Sequence, residues 1–248
     1  MTDAVEQLKK TARLYEASMP FVAVKFAGHK LRFAIPNEKC LYFALSLENR
    51  EPMTNKWVLA FRKDDVFFDI GANNGIYALM AAVATGCRVY AFEPHFGSYH
   101  VLVHNVFAND LQERVSAYPL AVADKLGFDN LYLSAITAGK SLNNYGDARP
   151  SDKALWNAVI PQAAVSISID EFVRVTGVVP NHIKVDVDGI EPKIVEGARE
   201  TLANPQLKSI MIEIDEKEPA HLAIMDVMKD SGFERHLKDE AGVFFFRD

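Results

Sequence analysis

The sequence predicts an α/β protein, a doubly wound and mainly parallel sheet with helices on both faces. Three observations carry that prediction. From Asp65 onward, short runs rich in β-branched and aromatic residues alternate with stretches whose apolar residues recur at helical spacing. The runs are apolar almost throughout, as strands buried on both faces must be. Acids then stand at their C-terminal ends: Asp69, Glu93, Asp186 with Asp188, and Glu213 with Asp215.

The elements follow in order. Val5, Leu8, Ala12 and Tyr15 mark a surface helix over 3–17 that Pro20 stops. "FVAVKFAGHKLRFAIP" alternates around Gly28-His29 and reads as a β-hairpin. Residues 40–65 mix aromatics with charges and give no clear period, so residues 1–62 read as a cap on a larger unit, 63–248. "VFFDI" is the first strand of the sheet. Ile76, Leu79, Met80 and Val83 then share one helix face, ended by Gly86. "CRVYAFEP" is the second strand, "SYHVLVHNVFAND" a helix, and "VSAYPLAVA" the third strand. "VPNHIKVDVDG" is the fourth, followed by one helix from Glu191 to Pro205, with Pro192 in its first turn. "LKSIMIEID" is the fifth, then a helix from Pro219, then a closing hairpin, "FERHLKDEAGVFFFRD". Between the third and fourth strands lies a long polar stretch, of which 134–163 reads as an acceptor-site loop, with "AAVSISIDEFV" strand-like after it.

With 248 residues, 49% of them hydrophobic, the chain can bury a full core. A formal charge of −6 lacks the basic face that general affinity for nucleic acid needs. Cys40 and Cys87 have neither metal-site spacing nor enough company for a disulfide framework, which suits a reducing cytoplasm. The N-terminus lacks the apolar core of a signal peptide, and no apolar run has the length of a membrane span. Neither nucleic acid nor membrane is therefore expected as a partner, and the oligomeric state is left open.

"DIGANNG" has the form D-x-G-x-x-x-G. It departs from the dinucleotide pattern G-x-G-x-x-G because Asn73 stands at the second glycine position. Gly71 allows close approach of a ligand, and Gly75 opens the next helix. Glu93, at the end of the second strand, is placed to accept hydrogen bonds from both hydroxyls of a ribose. A pyrophosphate over the glycine loop would be repelled by Asp69. S-adenosylmethionine has a ribose, an ammonium and a sulfonium but no phosphate, so it suits this combination.

"FFDIGANNGIYALMAA", "VYAFEPH", "LAVAD", "IKVDVDGIEPKIVEGA" and "IMIEI" resemble the FkbM-type methyltransferases, within the Rossmann-like class that uses S-adenosylmethionine. The resemblance covers about residues 60–215, and the string after the fourth strand is its most specific part. Asp188 stands where the family more often has Glu. The resemblance implies a seven-stranded sheet whose last strand is antiparallel, and methyl transfer to an oxygen, commonly a hydroxyl of a saccharide or natural product. It also implies that Asp69 and Gly71 border the methionine part, with Asn73 and Gly75 in the same loop. Glu93 would hold the ribose, and the segment from Ala121 to Asp124 would lie near the adenine.

An alcohol is a weak nucleophile, so a group that orients it or takes its proton assists transfer. Lys184, Asp186 and Asp188 alternate along the fourth strand and share a face. Asp186 is the first candidate for that role, with Asp188 and Glu191 next. Tyr145 and Trp156 are candidate pocket walls, ahead of Trp57 and Phe96. His95 reads as an ordinary loop histidine and His182 as solvated or capping. Three other readings stay open: a metal-assisted transferase with Mg²⁺ on Asp186, Asp188 and Glu213, a non-catalytic nucleotide-binding protein, and an NAD-dependent oxidoreductase that Asn73 disfavours.

Overall fold

The computed structural model describes residues 2–141, 143–146, 160–214 and 218–247. Trp156, Asp215 and residues 147–159 of the long loop lie outside them. The N-terminal part runs α1 (Thr2–Glu16), β1 (Phe21–Phe26), β2 (His29–Ala34), α2 (Glu38–Ser46) and α3 (Pro52–Leu59). The next stretch is β3 (Val66–Ile70), α4 (Ile76–Thr85), β4 (Arg88–Phe92), α5 (Phe96–Ala108) and β5 (Val115–Tyr118). Then come β6 (Ala121–Val122), β7 (Gly127–Leu133), β8 (Asn144–Tyr145), β9 (Ile160–Ile167) and α6 (Ile169–Thr176). The chain closes with β10 (His182–Val185), α7 (Glu191–Glu196), α8 (Arg199–Ala203), β11 (Ser209–Ile212), α9 (Pro219–Asp230), β12 (Arg235–Lys238) and β13 (Val243–Phe246).

The main sheet has seven strands in the order β12-β13-β11-β10-β3-β4-β5, with β13 antiparallel to both of its neighbours. Strand pleating sends alternate residues to opposite faces. Phe67, Met211 and Phe244 join one apolar cluster, together with Phe33, Phe43 and Trp57 from the N-terminal part. Phe68, Ile210, Ile212 and Phe245 join a second cluster on the other face, with Phe172 and Ile194. Burying a side chain such as Phe67 or Phe68 completely stabilises the fold by about 1.5–3 kcal/mol each. The N-terminal elements thus share a core with the sheet.

Several expected elements differ. The first hairpin turns at Ala27-Gly28, both with positive φ, rather than at Gly28-His29. "VSAYPLAVA" is not one strand. Pro119 has no N–H for a ladder, and after it Ala121–Val122 leaves the main sheet to pair with β9 in a second, four-stranded sheet of order β6-β9-β7-β8. "AAVSISIDEFV" changes from strand to helix at Ser168. The Ser168 hydroxyl accepts from the Glu171 N–H at 3.1 Å, and the Glu171 carboxylate reaches back to the Ser168 N–H, a capping box that starts α6. The helix expected over 191–205 breaks into α7 and α8 at Gly197, where a Cβ would lie 2.5 Å from the Ala123 carbonyl oxygen.

His182 is neither solvated nor a cap. It is buried under Phe61, stacked at 3.9 Å between ring centroids, and bonds Ser209 Oγ through Nδ1 and Asp65 through Nε2. Trp57 donates to the same Ser209 hydroxyl at 2.8 Å, so its role is in the core. Burial outweighs the Asp65 contacts and lowers His182 to about 4, which keeps it neutral.

Ser168→Ala removes the hydroxyl half of the capping box and leaves the Glu171 carboxylate on the backbone N–H of residue 168. The expected loss is about 1 kcal/mol, or roughly 2–4 °C in melting midpoint for a chain of this size. An unchanged thermal scan would mean that α6 is held by packing alone.

Candidate active site

The site grows from the ends of three neighbouring strands. β3 lies between β10 and β4, with Asp69 opposite Lys184 on one side and Ala91 on the other. Beyond β3 the chain turns at Gly71, whose φ is +78°, and a Cβ there would lie 2.0 Å from the Asp186 carbonyl oxygen. Asp186 N–H donates to Ile70 O, while the N–H groups of Gly71 and Ala72 both donate to Phe92 O. The glycine therefore serves the close approach of two strand ends, not only that of a ligand. Gly75 caps α4 and packs against Leu102.

Glu93 is buried and pinned. Its Oε2 accepts from the Asn73 N–H at 2.7 Å and its Oε1 from the His95 N–H at 2.8 Å. Each oxygen keeps acceptor capacity for a further donor, which matches a ribose diol. Burial pushes Glu93 up to about 7 despite those two bonds, and the charges of Asp188 and Asp69 add to the rise. His95, read as a loop histidine, is buried and caps α5. Its Nδ1 accepts from Ser98 N–H, and its Nε2 lies 3.1 Å from Ala135 O.

β10 ends at Val185, so Asp186 and Asp188 lie in the turn before α7 rather than on a strand face. Lys184 is buried, with its ammonium 2.5 Å from Asp186 Oδ2 and 5.0 Å above the Tyr77 ring. Burial opposes ionisation of Asp186, but the Lys184 charge and hydrogen bond prevail and hold it below the usual carboxylate range. Asp69 lies on the other side of the same ammonium with both carboxylate oxygens lacking a hydrogen-bond partner, and burial pushes it up to about 6. Burial and the adjacent Asp186 push Glu213 up to about 8. Asp188 is held from the loop side, where its Oδ2 accepts from Asn143 N–H and its carbonyl from Asn144 Nδ2.

These groups surround two adjoining cavities. The larger is lined by Gly71, Asn73, Glu93, Asp186 and Asp188 of the expected residues. The smaller is apolar, with Ala121, Phe92, Leu131 and Tyr145 on its walls, and shares Gly71, Pro94 and Val187 with the first. Asp69 and Gly75 line neither and stand behind the wall. Glu191 lines neither as well: it is buried between α7 and α9, with Oε2 3.4 Å from His221 Nε2, and burial pushes it up to about 8. Phe96 is exposed beside a separate groove. Sequence reasoning missed Phe43, Arg50 and Tyr77, which line the larger cavity, while Lys140, Ser141 and Asn143 lie in the 134–163 segment read as an acceptor-site loop, though none was singled out. Tyr77 follows the glycine loop at the start of α4 and was findable there. Nothing local marks Phe43 and Arg50, because tertiary packing brings them in.

A polar cavity joined to an apolar slot suits a ligand with a charged arm and a flat ring. Asn73 Oδ1 is buried without a hydrogen-bond partner on the wall of the polar part, which suits an ammonium. The residues present thus fit S-adenosylmethionine. Among the described residues no group of three or more His, Cys, Asp or Glu is gathered to hold a metal ion. No helix of the described residues is long and apolar enough to cross a membrane.

Comparison with known proteins agrees with this chemistry. The model of the methyltransferase FkbM domain matches residues 69–235. Hexuronic acid methyltransferase AglP of Haloferax volcanii is 24% identical over 217 residues, spanning 84% of this chain and 82% of that protein. A methyltransferase FkbM from Methylobacillus flagellatus shares 14% identity at a TM-score of 0.49, over 86% of this chain but 56% of that one. An RNA methyltransferase from Salinibacter ruber in complex with S-adenosylhomocysteine shares 13% identity at a TM-score of 0.43, over 80% and 91% of the two chains. Fold and site define an S-adenosylmethionine-dependent methyltransferase of the Rossmann-like class. Within that class, the chain belongs to the FkbM methyltransferase family.

The raised acids set a pH dependence. Glu93, Glu191 and Glu213 keep protons in the folded chain that the unfolded chain has released above its ordinary carboxyl values. The folded state then binds more protons, so stability falls as pH rises from about 6.5 to about 8, a window above the titration of His182. Glu191→Gln should flatten the fall. Denaturant titrations across that range check it, and stability rising with pH would show these carboxyls ionised in the fold.

Proposed function

We propose that the protein methylates an oxygen of a small hydroxylated acceptor, a saccharide or a natural product. The observation that carries the reading is the placement of Asp186 and Glu93 on one cavity wall system, with the glycine loop between them. When bound, S-adenosylmethionine supplies an electrophilic methyl group on a sulfonium centre. Glu93 holds the ribose hydroxyls, Asn73 Oδ1 accepts from the ammonium, and the slot around Ala121, Leu131 and Tyr145 takes the adenine. Asp69 acts at one remove, by sharing the Lys184 ammonium with Asp186.

Asp186 is held ionised by Lys184 and faces the cavity, so it accepts a hydrogen bond from the acceptor hydroxyl. That contact directs an oxygen lone pair into the site and receives the proton as the C–O bond forms. The depressed basicity of Asp186 makes orientation its larger contribution. Asp188, tied to the loop through Asn143, keeps the neighbouring wall in place.

A saccharide acceptor is supported by the hexuronic acid methyltransferase among the similar proteins. The chain's net negative charge favours a small molecule over RNA, although an RNA methyltransferase is among the proteins of similar fold. A metal-assisted reaction has no gathered ligand set among the described residues to support it.

S-adenosylhomocysteine at about 100 times its Kd should stabilise the chain by about 2.7 kcal/mol, raising the melting midpoint by roughly 5–10 °C. NAD should not. Glu93→Ala should weaken S-adenosylhomocysteine roughly tenfold to a hundredfold, from loss of charge-assisted hydrogen bonds of about 1.5–3 kcal/mol. A shift with NAD and none with S-adenosylhomocysteine would sink the reading. Asp186→Asn should leave product affinity within about threefold and cut turnover by roughly 10²–10⁴. Intact turnover would move the role to Asp188.

A further inference from the structure

The larger cavity is lined by three cations, Arg50, Lys140 and Lys184, and by three carboxylates, Glu93, Asp186 and Asp188. Most are committed. Lys184 is bound to Asp186, Glu93 faces the ribose position, and Asp188 accepts from Asn143. Arg50 and Lys140 are not committed in that way. Lys140 has no ion pair among the described residues. Arg50 Nε lies 3.4 Å from Glu51, but its terminal guanidinium nitrogens have no hydrogen-bond partner among the described residues.

Arg50 is set on an aromatic ring, and the backbone that carries Lys140 is anchored beside that ring. The Arg50 guanidinium lies 4.2 Å from the Phe43 ring centroid. Glu51, its neighbour, is itself fixed by the Thr54 hydroxyl at 3.1 Å. On the other side, the segment before Lys140 docks on α2. Asn37 Nδ2 donates to Ala138 O, Gly139 N–H donates to Ser98 Oγ, and a Cβ on Gly139 would lie 3.6 Å from Phe43 Cε2. S-adenosylmethionine has a single carboxylate and a net positive charge, so two cations are more than it needs.

We propose that Arg50 and Lys140 form an anion clamp that recognises a carboxylate on the methyl acceptor, so that the acceptor is an acidic sugar or a comparable hydroxy acid. The inference rests on the methyltransferase reading of the cavity and names the class of its acceptor. A guanidinium offers two parallel N–H donors to a carboxylate, and an ammonium adds a second point of attachment. The clamped acid holds the acceptor oxygen beside Asp186, and a neutral sugar lacks that anchor.

The test is calorimetry on the full chain saturated with S-adenosylhomocysteine, using 4-nitrophenyl β-D-glucuronide against the neutral 4-nitrophenyl β-D-glucoside. The glucuronide should bind at least about tenfold tighter. Arg50→Gln and Lys140→Gln should each remove most of that preference, leaving glucoside and S-adenosylhomocysteine affinities within about twofold, and Arg50→Lys should restore part of it. Equal affinity for the two glycosides, or binding of neither, overturns the clamp. So does a variant that loses S-adenosylhomocysteine affinity, since its cation would then serve the cofactor's carboxylate. If the wild-type chain itself fails to bind S-adenosylhomocysteine, the methyltransferase reading of the site fails first, which separates the two conclusions.

Discussion

One buried ammonium organises this site. Lys184 lies in the middle of the sheet, between Asp69 on the adjacent strand and Asp186 just beyond its own strand. An isolated charge in that position would carry a desolvation penalty of several kcal/mol. Two carboxylates and the face of Tyr77 offset it. The arrangement needs β3 beside β10 in the register that sets Asp69 opposite Lys184, and it needs Gly71 to let the two strand ends meet. The charge state of Asp186 at the cavity thus depends on the neighbouring strand as well as on its own, including Asp69, which does not line the cavity.

The cavity is assembled from parts far apart in the chain. Glycine loop and strand ends form its floor. The N-terminal helices bring Phe43 and Arg50, and the second sheet with its connecting segment brings Leu131, Lys140, Asn143 and Tyr145. The acids around it are also a source of instability. Glu93, Glu191 and Asp69 are buried with few partners, and burial raises all three. A ligand that supplies donors to Glu93 stabilises the folded state by the same contacts that bind it. Site and stability are coupled in this way because Glu93 faces the ligand's space instead of a protein cation.

The run of apolar strands, the helix after the glycine loop and the closing hairpin were all legible, because each depends on local periodicity. "AAVSISIDEFV" was misread because Ile, Val and Phe suit a strand as well as a helix. The Ser168–Glu171 capping box decides it, a signal four residues long inside an apolar run. The helix after Glu191 was read as continuous because nothing in its own residues shows the Ala123 carbonyl that faces Gly197. Glu191 was grouped with Asp186 and Asp188 by proximity in sequence, but one turn of helix carries its side chain toward His221 and away from the cavity.

By itself the sequence determined the class of sheet, the order of its strands along the chain, and the acids and glycines that collect at strand ends. Those features follow from alternation, from the conformational range of glycine and from the cost of burying a lone carboxylate, all readable over a few residues. Tertiary structure alone decided the departure of Ala121–Val122 into a second sheet. It also decided the burial of His182 under Phe61 and the placement of Arg50 and Lys140 on one cavity. Each of these depends on which distant surfaces bury one another, and that is a property of the whole packed chain rather than of any window in it.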